Sequence, residues 1–193
     1  MTNVLHRRKQ IRLRDYDYSE PGEYFITVCT HDRRCIFGIV QDGEMKTNSF
    51  GQIVHSCWFD LVNHYGNIEL DEFVVMPNHV HGIIGIFESV AVGAGLRPAP
   101  TGKKNDPLSE IIRAFKSFSA RQINEIRKTA GKPIWQRNYF DHIIRDERSL
   151  EGIRDYISTN PQRWEDDKEN PDKSGNDPFE SWLLAQGKIR IKS

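Results

Sequence analysis

The chain has 193 residues, 37% of them hydrophobic, with 27 basic side chains against 27 acidic ones, so its formal charge is zero. A chain of this length fits one domain with appendages and buries roughly two thirds of its unfolded surface, which excludes any need for a disulfide or a structural metal to hold it together. Cys29, Cys35 and Cys57 form no CxxC pair, and no leader or membrane-length apolar run accompanies them, so a disulfide scaffold and a membrane protein are excluded and a cytoplasmic setting is expected.

The neutral sum hides an uneven distribution. An N-terminal arm, residues 1–20, carries Arg7, Arg8, Lys9, Arg12 and Arg14, a cluster suited to phosphates. At the other end, residues 165–180 hold seven acids against Lys168 and Lys173. The segment 164–193 is therefore expected to be a mostly irregular acidic tail, anchored only at Trp182-Leu183-Leu184, whose charges compete with phosphates for the basic side chains.

Between these ends, residues 21–163 read as one domain. Tyr24 to Thr30 is rich in aromatic and β-branched residues after Pro21-Gly22 and predicts a strand, and Cys35 to Val40 predicts a shorter one. Asn48 is placed to cap a helix carrying Ile53, Val54, Cys57, Trp58 and Leu61 at helical spacing. Two apolar runs from Ile68, separated by Pro77-Asn78, predict an antiparallel hairpin whose second, largely buried strand starts at His79.

Residues 88–107, broken by five glycines and prolines between Gly93 and Gly102, predict a flexible insertion. Asp106-Pro107 is expected to open a long helix, proline in its first turn, lined on one side by Leu108, Ile111, Ile112, Phe115, Phe118 and Ile126. Arg113, Lys116 and Arg121 fall elsewhere on its circumference and are candidates for a phosphate backbone. Ile134-Trp135 and Tyr139 to Ile144 predict a bent strand, and Asp146 or Ser149 starts a helix ending at Asn160-Pro161. The simplest match is an α+β fold, ferredoxin-like with a split βαβ order: a mostly antiparallel sheet with helices on one face.

Side chains alternate along a strand, so His79 and His81 project to one side about 7 Å apart and can grip one metal ion, while Val80 turns into the core. The pair alone does not choose the metal. Tyr156 and Asn160, four apart, stack on one helical face with Ile153 and Ile157, a stripe that looks toward the sheet. The Asn160 amide oxygen is then placed to complete the coordination, with the Tyr156 phenol beside it. Such a set suits phosphoryl transfer: a coordinated phosphate is more electrophilic, and a positioned phenol attacks it in line.

These residues also carry a family resemblance. Val74-Val75-Met76-Pro77-Asn78-His79-Val80-His81 resembles the HUH motif of single-tyrosine transposases, and Tyr156-Ile157-Ser158-Thr159-Asn160-Pro161 resembles their tyrosine helix, with the asparagine seen in REP-associated tyrosine transposases. The segment from Arg7-Arg8 to Thr30 and the run from Trp135 to His142 are similar to this family too. The resemblance spans about residues 7–163. It implies an HUH nuclease core, Mg²⁺ or Mn²⁺ as cofactor, and single-stranded DNA with hairpins or palindromes as substrate, cleaved and rejoined through a 5′-phosphotyrosine. In the insertion-sequence relatives two chains assemble the site, the tyrosine helix of one reaching the histidines of the other, so a homodimer and a monomer both stay open for this chain. The insertion at 88–107 and the acidic tail depart from the family core.

Three other readings stay open on sequence alone. Tyr139 is a rival nucleophile, with His142 close by as a further site residue. A non-catalytic single-strand binder of the same fold would use stacking aromatics, although it has no use for the histidine and tyrosine set. A zinc hydrolase would need a third strong ligand, which no motif supplies.

Overall fold

The computed structural model describes residues 20–88, 107–173, 175 and 177–185. The basic arm, with Arg7, Arg8, Lys9, Arg12 and Arg14, and the insertion at 89–106 lie outside the described residues. Among the described residues, six strands run in chain order as β1 (Gly22–Cys29), β2 (Gly38–Gln41), β3 (Glu44–Thr47), β4 (Ile68–Val75), β5 (His79–Ile86) and β6 (Phe140–Ile144). The helices are α1 (Ser49–Phe59), the single turn α2 (Leu61–His64), α3 (Leu108–Arg127), α4 (Glu147–Thr159) and α5 (Pro178–Ala185).

The main sheet has the order β4-β5-β1-β6, and every neighbouring pair is antiparallel. The crossover through α1 carries the chain from β1 past β5 to β4, and the crossover through α3 carries it from β5 past β1 to β6. This is the split βαβ arrangement read from the sequence. Asn48 caps α1 as expected, its Oδ1 accepting from the backbone N–H of Phe50 at 2.9 Å and of Gly51 at 3.1 Å.

Strand alternation divides the interior into two cores. Tyr24, Ile26, Val28, Val80 and Ile84 face α1 and α3 around Trp58 and Phe115. Phe25, Ile83 and Ile144 face the other way, beneath Ile153, Tyr156 and Ile157 of α4 and Phe179 and Leu183 of α5. Helices on one face therefore describes α1 and α3 only. Helix α4 takes the opposite face because its own apolar stripe needs a partner, and the second side of this fully buried β5 provides one.

Several local expectations are corrected. The strand expected from Cys35 begins at Gly38 and pairs with β3 in a separate hairpin, closed by Asp42 and Gly43 with φ of 54° and 73°. Asp-Gly suits such a turn because both positions need positive φ. Helix α3 begins at Leu108, with Pro107 at the cap, its carbonyl accepting from Glu110 at 2.8 Å. Ile126 is exposed, and Ile123 takes its place in the core. Ile134-Trp135 makes one isolated bridge to Thr30 instead of a strand. Among the described residues, no helix is long and apolar enough to cross a membrane.

Candidate active site

The site forms where β5 begins and α4 ends. A tight turn at Pro77-Asn78, closed by a bond from Met76 N to His79 O of 2.8 Å, sets His79 and His81 on the α4 side of the sheet. Both imidazoles are buried, and their Nε2 atoms lie 3.0 Å apart. The Nδ1 of His79 meets Asn78 Oδ1 at 2.9 Å, and the Nδ1 of His81 meets Thr27 Oγ1 at 2.9 Å.

Hydrogen-bond accounting fixes one tautomer. The Asn78 amide nitrogen donates to the carbonyls of Arg33 at 3.1 Å and Glu169 at 2.7 Å, so the amide oxygen is the atom facing His79. His79 must then carry its proton on Nδ1, which leaves a bare lone pair on Nε2. Thr27 either donates or accepts by rotating its hydroxyl, so His81 is free to present its Nε2 lone pair as well. Burial lowers the pKa of both imidazoles, with His79 adding a second lowering for His81. Two neutral rings sharing one point are the chemistry of a cation site.

Asp167 faces the same point. Its Oδ2 is 3.7 Å from His79 Nε2, and one ligand atom from each of His79, His81 and Asp167 falls within 4.8 Å of the others. Asn160 donates its amide N–H to Asp167 Oδ2 at 3.0 Å, while its own Oδ1 is buried with no hydrogen-bond partner. A buried carboxylate facing two imidazole lone pairs is a donor set that fits a divalent cation.

The Tyr156 hydroxyl is 3.4 Å from His81 Nε2 and donates to Asp177 at 3.3 Å, and the ring stacks on Phe179 at 3.5 Å between centroids. Burial, reinforced by the charges of Asp167 and Asp177, pushes the phenol's pKa up. The tyrosine and the histidines thus meet within one chain.

The segment expected to be a solvated acidic tail is instead part of the site. After a 3₁₀ turn at Asn160–Arg163 the backbone folds back over the histidines, burying Asp167 and Glu169. Arg33 pairs with Glu169 at 3.1 Å and donates to the Lys168 carbonyl at 3.2 Å. Helix α5 then covers Tyr156, with Trp182 and Leu183 acting as the expected apolar anchor. No spacing rule reaches Asp167, since it sits on a turn, and the run of acids around it reads as solvent-facing.

The remaining sequence candidates fall elsewhere. Arg113, Lys116 and Arg121 lie on α3, on the sheet face opposite the histidines. Arg113 pairs with Glu110, and Arg121 is exposed. Lys116 donates to the carbonyls of Gln136 at 2.6 Å and Arg137 at 3.0 Å, and burial lowers its pKa to about 8. Tyr139 packs into the α1 and α3 core, away from the site. His142 is opposite Phe25 on β1, hence on the histidine face but one row along.

No family model matches the chain. An uncharacterized protein of Haemophilus influenzae is 39% identical over 173 residues, spanning 85% of this chain and 93% of the relative. A second protein of that organism, assigned provisionally to the REP-associated tyrosine transposases, is 24% identical over 153 residues, spanning 75% of this chain and 73% of its own. The solved structure of a REP-associated tyrosine transposase bound to a REP hairpin superposes with a TM-score of 0.55 at 20% identity, covering 94% of this chain and 90% of that one. At that identity the likeness shows the fold.

Proposed function

This chain belongs to one family with the 39%-identical Haemophilus influenzae protein and is a relative of the REP-associated tyrosine transposases, and from that premise we propose that it is a transposase-type enzyme that cleaves and rejoins hairpin-bearing single-stranded DNA. One observation carries the reading: a tyrosine hydroxyl 3.4 Å from an imidazole whose ring nitrogen also faces a second imidazole and a buried carboxylate. A pure binder has no need of that set.

In this mechanism the Tyr156 oxygen attacks a scissile phosphorus, its proton leaves, the P–O3′ bond breaks, and the departing oxygen takes up a proton as a free 3′-hydroxyl. The 5′-phosphotyrosine retains a phosphodiester, so a 3′-hydroxyl reverses the step and strands rejoin without ATP. His79 and His81 would hold Mg²⁺ or Mn²⁺, with a third ligand drawn from the buried polar groups beside them. When bound, that ion supplies positive charge against the developing charge on the phosphate. Asp177 accepts from the phenol and is placed to take its proton, while Phe179 fixes the ring plane. The basic arm would hold the flanking backbone.

The test is a denaturing gel of the protein with hairpin-bearing single strands and Mn²⁺. A slower-migrating covalent species that needs the metal is expected. Strands that stay intact and unattached across metals and sequences would leave the fold without this function.

A further inference from the structure

Resting on the metal-assisted reading above, we propose that the third ligand beside His79 and His81 is the Asp167 carboxylate, and that Asn160 and Asn78 are positioning residues that hold it there. Metal–ligand bonds of about 2.0–2.2 Å put neighbouring ligand atoms about 3.0–3.6 Å apart. The 3.0 Å between the two Nε2 atoms and 3.7 Å from His79 to Asp167 Oδ2 sit close to that spacing.

The orientation of Asn160 follows from its neighbour. A carboxylate oxygen only accepts, so the amide must turn its N–H₂ toward Asp167, which directs Oδ1 away from that oxygen. The hydrogens of Asn160 steer Asp167, and they are the wrong end to meet a cation held at Oδ2.

Among the described residues, Asp167 also lacks a compensating charge. Its Oδ2 accepts from Asn160 and its Oδ1 from the Glu169 N–H at 2.6 Å, both neutral donors. Among the described residues, the basic side chain within 4 Å of it is the His79 imidazole. A buried anion held only by neutral donors is costly, and a cation between it and the imidazoles removes that cost.

Asn78 joins the two halves of the site. Its Oδ1 meets His79 Nδ1, while its amide nitrogen donates to the Glu169 carbonyl, two residues beyond Asp167. A single side chain thus sets one ligand's tautomer and the position of another.

The experiment uses the full chain and Mn²⁺ alone, with affinity from calorimetry, the Mn²⁺ resonance spectrum as a second readout, and metal-free melting as a check on folding. His79→Ala and Asp167→Asn are each expected to weaken binding about ten-fold or more, with Asn160→Ala and Asn78→Ala losing less. Asp167→Glu, which keeps the charge and shifts the oxygens, is expected to bind between wild type and Asp167→Asn, and stands in for the latter should it not fold. Unchanged affinity in Asp167→Asn, with loss in His79→Ala and Asn160→Ala, overturns the assignment and leaves the metal-assisted reading standing. Unchanged affinity in all of them overturns both.

Discussion

His79 and His81 are buried, and both are held neutral at pH values where free imidazoles charge. Below about pH 6.5 the unfolded chain takes up protons that the folded rings resist, so it binds more protons than the folded one, and stability falls as pH falls through that value. The metal-free protein is therefore expected to unfold at lower urea concentration at pH 5.5 than at pH 7.5, with a smaller drop in His81→Gln. Equal drops in the two proteins would place the acid sensitivity elsewhere. Tyr156→Phe deletes one hydroxyl and keeps the stack on Phe179, so covalent adduct is expected to vanish while hairpin binding and melting temperature stay near wild type. Both histidines and Tyr156 were legible in the sequence because spacings of two on a strand and four on a helix have fixed geometric meanings. Asp167 was not, since its position depends on how a turn closes, and the role of Asn78 was not either, because two of the three hydrogen bonds that define it go to the distant Arg33 and Glu169.

At the scale of elements, α4 carries the nucleophile and is tied down twice. Arg154 donates to both oxygens of Asp71, at the irregular register between Leu70 and Phe73 of β4, and Gly152 lets the Trp182 ring of α5 lie against the helix backbone. Gly152→Ala raises helix propensity by about 1 kcal/mol, yet the added methyl would stand 2.7 Å from the indole. The expected result is unchanged helicity with α5 loosened, seen as altered tryptophan fluorescence and faster proteolysis between α4 and α5. Unaltered fluorescence and cleavage would show that the indole simply moves aside. The amphipathic stripe of α4 and the cap of α1 were readable because local chemistry decides them. The β2–β3 hairpin was missed although Asp42-Gly43 is its turn signal, and α5 was missed because a short apolar cluster does not distinguish a helix from an irregular anchor.

For the whole molecule, a four-stranded sheet separates two tasks. One face holds the α1 and α3 core, and the other holds the site beneath α4, α5 and the folded-back segment. Removing residues 164–193 would take away Asp167 and the cover over Tyr156 together, so loss of Mn²⁺ binding and a lower melting temperature are expected. Neutralising only the exposed Glu165, Asp166 and Asp172 should change neither. Matching losses in both variants would return the segment to the role of a charged tail. The antiparallel sheet and its order were readable from the succession of elements, whereas the use of both faces depends on which core α4 joins. Tyr156 lies within hydrogen-bonding reach of a histidine of its own chain, so one polypeptide brings nucleophile and histidines together.

The most direct measurement is mass spectrometry of tryptic peptides from the protein–DNA adduct formed with Mn²⁺ and a hairpin-bearing single strand. The nucleotide is expected on Asp155–Arg163, attached at Tyr156 through a 5′-phosphate. A nucleotide found on a peptide carrying Tyr139 or any other nucleophile, or on none, would contradict the assignment of Tyr156.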